Sequence, residues 1–179
     1  HCHLNGIAVN PENQPKYATS LGHSDTPNGW RENIANGGIL MDIESHEIVL
    51  QGLAMPHSPR IYDGQLYFLL SATGELARAS LHTGKYEVVK KFNGFVRGMD
   101  KAGDYLFIGL SRLRKTSSTF GNLPIAKASP FCGIVVVHLP TASIIGQLKY
   151  ENSVEEIYDV KVIADKRRPG ILNHTKEDF

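Results

Sequence analysis

The chain has neither a long apolar run nor a charge imbalance. No stretch approaches the ~18 apolar residues of a membrane-spanning helix, and no secretory-leader pattern opens the sequence. Lysine and arginine number 19 against 18 aspartate and glutamate. No global field therefore draws the protein to nucleic acid or to an anionic membrane. Cysteine is scarce. Cys2 and Cys132 are too few for a disulfide framework and lack the Cys-x-x-Cys spacing of a metal or redox pair. Two packed thiols fit a reducing compartment, which favours the cytoplasm. Also missing are the Walker and Rossmann glycine signatures, zinc-finger spacings and the Gly-x-Ser-x-Gly elbow of serine hydrolases. The remainder, 41% hydrophobic and 21% charged over 179 residues, suits one soluble domain with a real core.

Helical periodicity is absent from residues 55–99. Short apolar runs there are separated by Asp63-Gly64, Thr73-Gly74 and Thr83-Gly84. Each run has strand length and each separator is turn chemistry, so the segment reads as a four-stranded antiparallel meander. The pattern recurs on both sides. Asp42-Ile43-Glu44-Ser45, Ser80-Leu81-His82-Thr83 and His138-Leu139-Pro140-Thr141 occupy the same turn, each between two apolar strands. A fourth unit opens at residues 156–162 and stops at the charged break 165–169.

Repeated four-stranded meanders are the mark of a β-propeller, whose innermost strands line a central channel. The expected fold is all-β. It has three blades plus the first strand of a fourth, and is part of a six-bladed propeller when complete. Residues 1–164 form a partial propeller domain and 165–179 a C-terminal tail. A sandwich of irregular meanders is the structural alternative. Three blades do not close a ring, so the missing blades are expected from a longer parent chain or from a homo-oligomer. The opening His1-Cys2-His3, without an initiator Met, fits a segment of a longer protein. Blades one and three carry insertions, at about 22–37 and 111–132. In a meander blade these rise on the face where the innermost strands begin, and loops of this length carry function.

Residues that open the innermost strands should converge at that face: His3, Asn5, His57, Ser58, Arg97, Glu156 and Asp159. The set offers imidazole, amide, cation and carboxylate groups suited to a small anionic or polyhydroxylated ligand. The plain alternative is a polar channel whose groups only hydrogen-bond across blades. Trp30-Arg31, in the first insertion, suits stacking on a sugar or ring, or else anchors its loop. Arg112 and Arg114, in the basic run 111–119, are candidates for an anion at the channel mouth. His57 and Ser58 are neighbours on a strand and should point to opposite faces, so they are not a base–nucleophile pair.

Asn5-Gly6-Ile7-Ala8-Val9-Asn10-Pro11, followed by Tyr17-Ala18-Thr19-Ser20, resembles the Asn-Gly-Leu-Ala signature of gluconolactonase- and strictosidine-synthase-like six-bladed propellers. Over most of its length the chain is similar to an uncharacterised bacterial family of conserved hypothetical propeller proteins. The stretches that carry this are His3-Leu4-Asn5-Gly6, Gly29-Trp30-Arg31, Met55-Pro56-His57-Ser58-Pro59-Arg60, Gly94-Phe95-Val96-Arg97-Gly98, Gly109-Leu110-Ser111-Arg112 and Glu156-Ile157-Tyr158-Asp159-Val160. The resemblance implies the C-terminal part of a longer propeller. The gluconolactonase likeness implies a divalent metal, calcium or similar, on the channel axis, with Asn5 and Glu156 as its ligands. His57 would then be general base and Arg97 an anion clamp, making His57, Arg97 and Glu156 the catalytic set. At the position of the expected Asp-Gly ligand stands Arg97-Gly98, whose charge repels a metal.

Three functions remain open: a binding or scaffold module with a polar channel, a gluconolactonase-like hydrolase or lyase, and a protein-interaction platform working through the tall loops.

Overall fold

The computed structural model describes residues 2–113, 120–121, 123–128 and 130–167. Among the described residues, twelve strands run in chain order through three four-stranded antiparallel sheets. Blade one holds β1 (Cys2–Val9), β2 (Pro15–His23), β3 (Gly38–Asp42) and β4 (Ile48–Leu53). Blade two holds β5 (Pro56–Tyr62), β6 (Gln65–Leu70), β7 (Glu75–Ser80) and β8 (Lys85–Lys91). Blade three holds β9 (Phe95–Ala102), β10 (Tyr105–Ser111), β11 (Cys132–His138) and β12 (Ser143–Tyr150). Within each blade every strand pairs with its sequence neighbours, as a meander requires. The repeated turns at Ser45, Thr83 and Thr141 join the third and fourth strands of their blades, the last in a single 3-10 turn, Leu139–Thr141. No α-helix occurs among the described residues, and none of their helices is long and apolar enough to cross a membrane.

Period-two alternation explains why blade two is apolar on both faces. Leu66, Phe68 and Leu70 of β6 join the core shared with blade one, around Leu40, Leu50 and Leu53. Tyr67 and Leu69 turn the other way, into the core shared with blade three, around Met99, Leu106, Ile108 and Val137. The innermost strands pack side by side, β1 on β5 and β5 on β9. Leu113, Leu123 and Ile125 of the third blade's insertion reach back to the blade one–blade two core.

The expected opening strand of a fourth blade is not a strand. Residues 155–162 run along blade three without a sheet partner. The Arg112 N–H donates to Glu155 O at 2.8 Å. Ser111 Oγ both donates to Ile157 O and accepts the Ile157 N–H. Asp100 accepts the Val162 N–H at 2.9 Å and pairs with Lys161 at 3.0 Å. Gly98 makes room for this close approach: its φ is +78° and a Cβ there would sit 2.5 Å from Asp159 Cα. A ladder needs a second strand of the same blade, and the described chain supplies none.

The three blades form an open arc. The outer face of blade one carries Ile7 and Ile48, and that of blade three Tyr105, Leu148 and Tyr150, all well exposed.

Candidate functional site

Two cavities meet where the innermost strands begin. The upper one, about 230 Å³, is lined by His3, Trp30, Arg31, His57, Arg97 and Glu156 over a floor of Leu21, Met55, Phe95, Leu113 and Phe120. The lower one, about 490 Å³, is lined by Asn5, Ser58, Arg60, Tyr158 and Asp159. His57 and Arg97 line both. Of the residues the sequence singles out, His3, Trp30, Arg31, His57, Arg97 and Glu156 thus share one cavity. Asn5, Ser58 and Asp159 do not join them; they line the lower chamber, on the other side of His57 and Arg97.

His57 is held by its backbone surroundings. The ring is buried, with Nδ1 3.1 Å from Met55 O and 2.9 Å from Ser71 Oγ. Ser71 has one hydroxyl proton and donates it to Val96 O at 2.6 Å. Its oxygen therefore accepts from His57, which fixes the proton on Nδ1. Nε2 is left with a bare lone pair, and no buried side-chain nitrogen or oxygen among the described residues lacks a partner, so this atom opens on the cavity. Burial pushes the His57 pKa down to about 4, against a bond to Met55 that raises it, and the Arg97 and His3 charges lower it further. At neutral pH the ring is an uncharged hydrogen-bond acceptor.

Ser58 corrects a sequence expectation. Regular alternation would turn it away from His57, but β5 bulges here: His57 pairs with Leu69 and Arg60 with Tyr67, so Ser58 and Pro59 together oppose Phe68. Ser58 takes a left-handed φ of 51° and lines the same lower cavity as His57. The two still do not act as a pair, because Ser58 Oγ accepts the Gly98 N–H at 3.0 Å.

Arg97 is half-buried, and its guanidinium lies over the Tyr158 ring at 4.4 Å. It makes no hydrogen bond or ion pair among the described residues. The other lower-cavity cation, Arg60, is paired with Asp159 at 3.2 Å. Glu156 is engaged; its Oε2 accepts from Tyr158 at 3.1 Å. Trp30 is 9% exposed, so it is a loop anchor rather than an open stacking platform. One edge of it still faces the cavity, with His3 at 4.8 Å and Arg31 at 5.1 Å. Arg112 is exposed and lines neither cavity, while Arg114 lies outside the described residues.

The residues do not fit the expected divalent metal. Asn5 and Glu156 line different cavities. Asn5 is spent on bracing β1 against β5: Nδ2 donates to Pro56 O at 2.7 Å and Oδ1 accepts from Thr19 at 2.8 Å. No three His, Cys, Asp or Glu groups gather as a metal site among the described residues. The Arg97 charge stands in both chambers and repels a cation.

The apolar floor is what sequence reasoning missed. Met55, Phe95, Leu113 and Phe120 carry no polar signal, and two of them come from an insertion without strand periodicity. Ser71, which sets the tautomer of His57, sits at the end of β6 in a stretch that reads only as strand and turn.

The family follows from comparison with known proteins. The chain belongs to the family described as Domain of unknown function (DUF4915), whose model matches residues 1–172. No curated protein matches it. Among solved structures, the computationally designed Ika4 protein is similar at 10% identity and TM-score 0.52, over 90% of this chain and 80% of that one. The Neurospora crassa Pan2 WD40 domain is 13% identical, with TM-score 0.46, over 82% of this chain and 40% of that one. An auxiliary nutrient binding protein from Bacteroides thetaiotaomicron is 11% identical, with TM-score 0.41, over 82% of this chain and 31% of that one. At these identities the likeness concerns fold alone. The chain spans less than half of the last two, and it is built of β-propeller blades that do not close into a ring.

Proposed function

We propose that this member of the family is part of a propeller-type binding module whose cavity at the channel mouth takes a small anionic or polyhydroxylated molecule. The supporting observation is Arg97. A half-buried guanidinium has five N–H donors to satisfy, and here its partner among the described residues is an aromatic ring. A carboxylate or phosphate placed between the two cavities would satisfy them with charge-assisted, bidentate bonds. His57 Nε2 adds an acceptor for a ligand hydroxyl. Burial of the aromatic floor gives the ligand low-dielectric surroundings, where such bonds discriminate best.

The hydrolase or lyase alternative, like that of gluconolactonases, has less support. A general base works best with a pKa near the working pH, and His57 at about 4 is a weak one. The interaction-platform alternative draws its support from the exposed apolar end faces of blades one and three.

The test is calorimetric titration of the chain with gluconate and with glucose. Gluconate binding is expected, and Arg97→Ala should weaken it by about tenfold or more, the loss of one charge-assisted pair. The variant should keep its circular dichroism and unfolding midpoint. Equal gluconate affinity in a folded Arg97→Ala protein would overturn the proposal.

A further inference from the structure

The two chambers differ in chemistry, and their junction carries one donor set and one acceptor. The upper chamber is aromatic and aliphatic beneath its polar rim: Trp30, Phe95 and Phe120 with Leu21, Met55 and Leu113. Its volume of about 230 Å³ exceeds the roughly 150 Å³ of an apolar cavity that holds benzene. A planar six-membered ring therefore fits with a short substituent to spare. At the edge of this chamber Arg97 presents N–H donors, and His57 presents a lone pair that its Ser71–Val96 relay prevents from becoming a donor. A ligand group at the junction must therefore accept from Arg97 and donate to His57.

A carboxylate alone does only the first. A carboxylate with a hydroxyl on the adjacent carbon does both. The charge count separates a hydroxyl from an ammonium. Arg31 and Arg97 stand against Glu156 around the upper chamber, and in the lower one Asp159 is matched by Arg60. Among the described residues the shared Arg97 is the surplus positive charge of both, which a monoanion neutralises and a zwitterion does not.

We infer that the ligand is a 2-hydroxy carboxylic acid bearing an aromatic or bulky apolar side chain. Its carboxylate sits on Arg97, its hydroxyl donates to His57 Nε2, and its side chain lies in the aromatic chamber. This rests on the binding reading above and narrows it to one chemical class. The site discriminates because a ligand lacking the hydroxyl leaves His57 Nε2 desolvated and unpaired.

Trp30 is the single tryptophan of the chain and lines the chamber, so its fluorescence reports occupancy directly. The full 179-residue chain is titrated with 3-phenyllactate, 3-phenylpropionate, phenylalanine and lactate. Phenyllactate should give a saturable change. Phenylpropionate, lacking the hydroxyl, and lactate, lacking the ring, should each bind about tenfold or more weakly, one unmade hydrogen bond or one unburied ring. Phenylalanine should also be weaker. The series on the native protein decides the matter without any variant. In addition, His57→Asn keeps a donor toward Met55 and removes the Nε2 acceptor, so it should erase the preference for phenyllactate over phenylpropionate. Equal affinity for these two acids in the native protein would overturn the inference, as would a preference that survives in folded His57→Asn. If gluconate binds in an Arg97-dependent way but no ring is preferred, the chemical class falls and the binding site stands. If no acid binds at all, both fall.

Discussion

Acidification should destabilise the protein through His57, and the size of the effect follows from its burial. The folded-state pKa is about 4 and the unfolded value 6.5. Between these limits the unfolded chain binds the proton and the folded chain refuses it, so unfolding gains. Stability is intact above pH 6.5, falls as pH drops through the window, and levels off once both states are protonated below pH 4. The gap corresponds to about 3 kcal/mol at 1.36 kcal/mol per unit, a large part of the 5–15 kcal/mol typical of a domain. Of the groups around the ring, Arg97 and His3 add positive charge that lowers the pKa further, the bond to Met55 O opposes them, and the Glu156 carboxylate lines the same cavity already engaged by Tyr158. Other acids contribute lower down. Asp100 is held below the usual carboxylate range: burial raises it, and bonds from the Val162 N–H and Lys161 more than compensate. Its contribution is therefore lost only at more acid pH. The assay is urea unfolding from pH 8 to pH 3.5 for the native chain and for His57→Asn, which does not titrate. The variant should be the less stable of the two at pH 8, with the difference shifting by about 3 kcal/mol in its favour by pH 4 and a slope near 1.4 kcal/mol per pH unit inside the window. A difference that stays constant across the range would refute the reasoning, since a buried, uncharged imidazole cannot produce it.

Phe68, wholly buried in the core between blades one and two, should cost about 3–5 kcal/mol on change to Ala, read by chemical denaturation. Gly98→Ala should strain a left-handed backbone by about 1–2 kcal/mol and push residue 159 outward. Hydrogen exchange should then show faster exchange at Ile157 and Val162 while blade two stays protected. The end faces should make the isolated chain self-associate with concentration. Light scattering should show this reduced when Ile7 and Leu148 are both changed to Lys.

The blades were legible in the sequence because a meander is local. Each strand pairs with its neighbour along the chain, so alternation and turn residues such as Asp63-Gly64 contain the instructions for it. The expectation that His57, Arg97 and Glu156 meet rested on the same repeat, which puts equivalent positions at equivalent places around an axis. The repeat could not tell which equivalent positions depart from it. A bulge after His57 brings Ser58 into the lower cavity, and hydrogen bonds to Pro56 and Thr19 hold Asn5 away from Glu156. Residues 156–162 have strand composition but no partner to pair with.

Local pattern in the chain was thus enough for the twelve strands of the three blades, and it marked out His3, His57, Arg97 and Glu156, which line one cavity. Tertiary structure alone decided the tautomer and charge of His57, because these depend on Ser71, Val96 and Met55 and on the depth of burial. It also decided that the chamber has an apolar floor, because Phe120 and Leu113 of the third blade pack against the core of blades one and two. Periodicity encodes which face a residue takes within its own sheet. It does not encode what another blade lays over that face.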